Sequence, residues 1–422
     1  MIPKLCVLPF LGLAVLSLFL ALPVSAQDDP VPEEAAGFDP LFFGYETEPG
    51  MGFGGRTVAS FQSLGSRAFS SIPGLRSHPA LAPAWEFPLA AFLILVQHEV
   101  GGHGGRGREF GLSPSYGFGF DFSGYTTTER PPETNEENAL LAVGGAEADG
   151  VMAHRILLDA LRPEGVDGAK IPLAMMGKLD VTMYVLGTPE PDDGDDFAEA
   201  YRDGNDVAFY LATRQAVRAG EDPADVWNGL YLVNTGDPAL EEMWDDAQVT
   251  AIWNALDPSL MSAVFSYFRD HVIGGRTRVR PPVLQITDGL GLTLGTRGVL
   301  GPQEVSRFLD LYAVTPEGIL AFYIRDLDSS IDREYGIGAA IHGLRLSERF
   351  DLGLQADWWG QPESLEVFYP AGEDGWNVSG EIGVLFGRWG FSAKAGAKSE
   401  GFFPGTPQDE GVYAGLGLQA IW

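Results

Sequence analysis

Residues 411–422 read Gly-Val-Tyr-Ala-Gly-Leu-Gly-Leu-Gln-Ala-Ile-Trp. Val412, Ala414, Leu416, Leu418, Ala420 and Trp422 share one parity, and Gly411, Tyr413, Gly415, Gly417 and Gln419 share the other. Side chains alternate across a strand, so this is a β-strand with one apolar face and one polar or glycine face. The same alternation recurs upstream. In 389–398, Phe391, Ala393, Ala395 and Ala397 oppose Ser392, Lys394, Gly396 and Lys398. In 376–387, Trp376, Val378, Ile382, Val384 and Phe386 oppose Asn377, Ser379, Glu381 and Gly383. Runs 349–359 and 283–296 repeat the pattern, and 308–314, 318–326 and 334–346 carry it more weakly. The count is about eight strands of roughly ten residues, the length that spans a bilayer when tilted. A soluble sandwich would use such apolar faces to cover a core; a membrane barrel would turn them outward.

Upstream of residue 279 the pattern becomes helical. Helices are expected over Pro88–Val100, Asn135–Leu161, 197–219 and 249–272, the last interrupted at Asp257-Pro258, with a strand near 116–125. The expected fold class is α+β: a helical metal-site domain over 27–278, then an antiparallel β-barrel of about eight strands over 279–422. Residues 1–26 read as a signal peptide: Lys4, an apolar run Leu5–Leu22, and Val24-Ser25-Ala26 at the cleavage point. The one cysteine, Cys6, falls in that segment, which excludes a disulfide scaffold from the exported chain. The charge is −31, from 58 acids against 27 bases, so the basic footprint of a nucleic-acid binder is missing. Acidic stretches at 190–196 and 203–206 could gather oxygens around Ca²⁺ or stand as solvated loops.

The alternating strands and the terminal aromatic Trp422 resemble bacterial outer-membrane β-barrel proteins. That resemblance implies an outer-membrane location, lipid as a partner, and Trp358, Trp359 and Trp389 as an interfacial girdle.

The chemistry concentrates in Gln97-His98-Glu99-Val100-Gly101-Gly102-His103, which follows eight apolar residues, Leu89–Val96. Burying His and Glu is costly unless something satisfies them, and a metal ion would. The segment resembles the His-Glu-x-x-His motif of zincin metallopeptidases, with one residue more between the histidines. On a regular helix His98 and His103 diverge by about 140°. They converge if the helix bulges to i, i+5 spacing, or if it stops at Val100 and His103 returns on the glycine loop. The resemblance implies Zn²⁺ bound by His98, His103 and, from a later helix as in the gluzincin branch, Glu147. Glu99 would be the general base. Asp149 suits the orientation of a ligand imidazole, and His154, seven residues from Glu147 and on its face, is an alternative ligand. Arg106 or Arg108 would polarise a substrate carbonyl or stand as solvated charge. The implied activity is zinc-dependent hydrolysis of a peptide or protein substrate. The alternative is a non-enzymatic outer-membrane protein (channel, adhesin or structural) with a helical cap.

Overall fold

The computed structural model describes residues 41–75, 78–119, 121–329, 331–363 and 373–420. The expected signal peptide, Cys6 and Trp422 lie outside the described residues.

The C-terminal alternation folds as nine consecutive antiparallel strands. They are β6 (Leu284–Thr287), β7 (Leu290–Leu300), β8 (Val305–Val314), β9 (Ile319–Asp328), β10 (Arg333–Ser347), β11 (Phe350–Gly360), β12 (Asp374–Phe386), β13 (Trp389–Lys398) and β14 (Gly411–Ala420). A tenth, β1 (Leu41–Glu46), comes from the start of the described chain and pairs with β14, Phe43 opposite Leu418 and Tyr45 opposite Leu416. The sheet runs β1-β14-β13-β12-β11-β10-β9-β8-β7-β6, and its edge strands β1 and β6 do not pair with each other. It is therefore an open ten-stranded sheet, where the sequence suggested a closed barrel of about eight strands. Bulk explains the difference. A closed eight-stranded barrel has room only for side chains, whereas here whole helices lie against the sheet's inner face.

Those helices are α1 (Met51–Ser70), α2 (Pro83–Val96), α3 (Gly104–Glu109), α4 (Asn135–Leu161), α5 (Lys170–Gly187), α6 (Asp195–Arg202), α7 (Asp206–Ala219), α8 (Pro223–Trp227), α9 (Pro238–Ala255) and α10 (Pro258–Ser266). Pro83, rather than Pro88, occupies the first turn of α2. The expected helix 197–219 is broken in two by Asp203-Gly204-Asn205, with Gly204 at φ +81° and Asn205 capping α7. The expected single strand 116–125 is a hairpin of β2 (Ser115–Phe118) and β3 (Gly124–Thr127), and two short strands, β4 (Val166–Asp167) and β5 (Arg278–Val279), pair separately.

The strands turn their polar face toward the helices and their apolar face outward. Asp310, Tyr312, Tyr323 and Arg325 are buried, while Leu309, Leu311, Phe322 and Ile324 between them are exposed. Charged side chains from the helices meet the inner face: Arg56 Nη1 and Arg155 Nη1 donate to Glu381 at 2.6 and 2.9 Å. The apolar cores cross the expected boundary at 278/279. One unites helical Phe197, Tyr210 and Trp244 with Leu300 and Val305, and another unites Leu158 and Leu161 with Val283 and Tyr312.

Candidate metal centre

The motif begins where α2 ends. Gln97–His103 winds as a π-helix and continues into α3. A π turn places residues five apart on one face, and the two imidazoles meet, ring centroids 4.7 Å apart and steeply inclined. Of the two routes to convergence, the bulge is the one adopted. Glycines permit it. A Cβ at Gly102 would lie 2.4 Å from the Gly144 carbonyl oxygen, and one at Gly145 would lie 2.3 Å from His98 Nε2. Gly102 on the π segment and Gly144 and Gly145 on α4 leave the space in which the two seat this closely.

Three further elements supply carboxylates. Asp206, the first residue of α7, puts Oδ2 2.9 Å from His98 Nε2 and 3.3 Å from His103 Nε2. Asp149 on α4 puts Oδ2 3.3 Å from His98 Nδ1, and Asp180 on α5 puts Oδ2 3.2 Å from the same atom. Tyr184, one turn beyond Asp180, stacks on His98 at 5.1 Å and 9° with its hydroxyl 3.2 Å from Nε2. His103 Nδ1 donates to the Leu141 carbonyl, so its Nε2 is the nitrogen free to bind toward Asp206.

The arrangement carries an excess of negative charge. Glu99, Asp149, Asp180 and Asp206 surround two imidazoles, and Asp149 Oδ1 and Asp180 Oδ2 are buried without a hydrogen-bond partner among the described residues. Burial alone would raise the Asp206 carboxyl, but His103 and His98 beside it hold it well below the usual carboxylate range. Burial pushes the Asp149 carboxyl up, with Asp180's charge adding to it and His98 opposing. A cation between His98 Nε2, His103 Nε2 and Asp206 would balance the site. Those three ligand atoms lie within 4.8 Å of one another, and ligands of a tetrahedral zinc are separated by about 3.3 Å for bonds of about 2.0–2.1 Å. Among the described residues only two groupings of three such side chains come this close, and both contain His98. The acidic loop 190–196 enters neither; Glu190 and Asp193 cap its short 3₁₀ turn instead. No protein family, curated protein or solved structure matches the chain.

Glu99 is buried beside the cluster. Its Oε2 accepts from Thr126 Oγ1 of the hairpin at 2.7 Å, and its charge acts on His103 and Tyr184. The sequence offered Glu147 as the third ligand, but the structure does not bring it to the histidines. It lies on the other side of α4, bidentate to Arg106, with Gly405 N donating to it at 2.7 Å. Arg106 is thereby a buried partner and not a solvated charge. Arg108 pairs with Glu48 at 2.8 Å and with the Tyr116 hydroxyl at 2.7 Å. His154 faces a cavity of about 210 Å³ between α4 and the sheet, 6.3 Å from the Tyr312 ring, away from the cluster.

The sequence does not single out Asp180, and it offers Asp206 only within the acidic stretch 203–206, not as a partner of the histidines. Asp180 had a signal: one acid inside the apolar stretch Leu179–Leu186 of a helix that buries its other side. Asp206 was hidden among the acids of 192–206, and only the chain reversal at Gly204 distinguishes it.

Proposed function

We propose that this chain is a zinc-dependent hydrolase of metallopeptidase type, held at the bacterial outer membrane by its sheet. The observation that carries the catalytic half is the convergence of His98 Nε2 and His103 Nε2 on one Asp206 oxygen, at 2.9 and 3.3 Å. A His-His-Asp set leaves a fourth zinc position open, where the ion would lower the pKa of water toward neutrality and polarise a carbonyl. Asp149 fixes the His98 ring from Nδ1, with the charge of Asp180 close by, and Leu141 fixes His103. Glu99, oriented by Thr126, would be the base for a water bound there. The Tyr184 hydroxyl, on the Nε2 side of His98, is a donor for the oxygen on which charge develops.

The membrane half is supported by the inverted sheet, and by its dimensions. Trp358 and Trp376 pair near one end and Phe386 and Trp389 near the other, all four exposed. Ten residues separate Trp376 from Phe386, roughly 33 Å along a strand. At the 35–45° tilt of outer-membrane strands this projects to about 25 Å, the height of their apolar band between aromatic girdles.

The test is metal content of purified wild type, His98→Ala and Asp206→Asn. About one zinc per wild-type chain, lost in both variants, is expected; equal near-zero occupancy in all three removes the metal reading. In zinc-loaded protein, peptide hydrolysis should fall at least about 10²-fold in Glu99→Gln; undiminished activity removes Glu99 as base.

A further inference from the structure

We infer that the helical half is not a cap standing outside the membrane but part of the lipid-facing wall, with α1, α2, α5 and α10 carrying the apolar belt across the gap between the sheet's edges. The inference rests on the membrane reading of the sheet and goes beyond it. Its occupant is the acyl chains of a bilayer.

Three observations lead there. First, the outward faces of these helices are apolar: Phe61, Leu64, Phe92, Met183, Leu186 and Phe265 are exposed, Leu186 at 75%. Second, the charges of α1 and α2 point inward and are paired. The charged residues of α1 and α2 are Arg56, Arg67 and Glu86. Arg56 meets Glu381 at 2.6 Å, Arg67 meets Asp167 at 3.1 Å, and Glu86 accepts from Ser66 at 2.6 Å and Tyr267 at 2.8 Å. Lys178 of α5 is buried against Asp257 at 3.1 Å. Water rewards the opposite arrangement, since exposed charge is nearly free there and large contiguous apolar patches are rare. Third, the belt is continuous with the sheet. Phe43 on edge strand β1 packs edge-to-face on Phe61 of α1 at 5.8 Å. The segment Pro79–Glu109, which contains α2 and the π turn, is long and apolar enough to cross a bilayer, with only 22% of its apolar window buried.

Elsewhere the same chain shows what its water-facing helices look like. Asp195, Asp196 and Glu199 on α6 and Glu241, Glu242 and Asp245 on α9 are exposed acids. The helical layer thus has two exteriors, and one matches the outer face of the sheet.

The experiment places single spin labels on the full chain in a Cys6→Ser background, reconstituted in phosphatidylethanolamine–phosphatidylglycerol vesicles. Sites are Phe92→Cys, Met183→Cys and Leu186→Cys on the helices, Phe322→Cys and Val378→Cys on strands, and Glu242→Cys on α9. Relaxation by oxygen, which partitions into lipid, is compared with relaxation by a water-soluble nickel chelate. The helical sites should match Phe322 and Val378, with oxygen severalfold more effective, and Glu242 should show the reverse. Helical sites that behave like Glu242 while the strand sites face lipid overturn this inference and leave the sheet's membrane reading standing. Strand sites that also behave like Glu242 overturn both.

Discussion

On one side of α4, Glu147 is clamped by both arms of Arg106 and by the Gly405 amide, so each of its oxygens has a donor. On the other side, two residues along, Asp149 offers one oxygen to His98 and leaves the other without a hydrogen bond, next to a second acid, Asp180. Both carboxylates are buried. The difference is charge balance. A carboxylate matched by a guanidinium is complete, and its role is to join α4 to α3 and to the 403–408 loop. Carboxylates that outnumber their imidazoles hold protons on both rings and could gather a cation in their place, and low local dielectric makes any remaining deficit costly. Residue type alone does not separate a brace from a site; the accounting of partners does.

The comparison can be broken most forcefully at the brace. Arg106→Ala strands Glu147, and a loss of about 3–5 kcal/mol in unfolding free energy is expected, as for other buried pairs deprived of one member. Chemical denaturation of metal-free protein measures it, and a loss below about 1 kcal/mol would mean that the pair braces nothing. Next comes metal removal. Chelation should leave the brace untouched but lower wild-type stability by about 2.7 kcal/mol relative to free zinc held at 100 times its dissociation constant, with no change in His98→Ala. Asp149→Asn should weaken zinc binding by about 10–100-fold through its hold on the His98 ring, read by competition with a chelating dye, while the metal-free protein keeps its stability because burial already favours the neutral carboxyl there. The smallest effect is on Asp246 of α9, a carboxylate in neither group. Burial and the charge of Asp328, opposed by Arg307, raise its pKa to about 6. Its proton is held more tightly in the folded chain, so this stabilisation is present below the ordinary carboxylate pKa near 4 and lost as pH rises through about 6. Asp246→Asn should therefore stabilise by on the order of 1 kcal/mol at pH 7 and change nothing at pH 3.5, read from melting curves at the two values.

Period-two alternation made the strands legible, because Leu309, Leu311, Phe322 and Ile324 must all leave by the same face. It could not tell an open sheet from a closed one, since closure depends on what fills the interior, and α4 with its 27 residues fills it. In β1 the six residues Leu-Phe-Phe-Gly-Tyr-Glu are too few to show a period. At the site, the histidine spacing and intervening glycines were enough to pose the π turn as one of two routes. A carboxylate among Leu140, Leu141, Val143 and Met152 needs a partner, and for Glu147 that partner is Arg106 from across the fold. Sequence spacing finds what one helix presents, and Asp180 and Asp206 come from two others.

The pairing of β1 with β14 ties Thr47 to Ala414, 367 positions away. A ribosome delivers the first of these long before the second. Until the last strand emerges, β1 has no ladder to join, and α1, which packs on β1 through Phe42 and Phe53, has no fixed floor. Assembly of such distant partners is slow and must follow completion of synthesis. Until both ends are present, the unassembled chain leaves its apolar strand faces uncovered, so the closing contact of the fold is also the one made last.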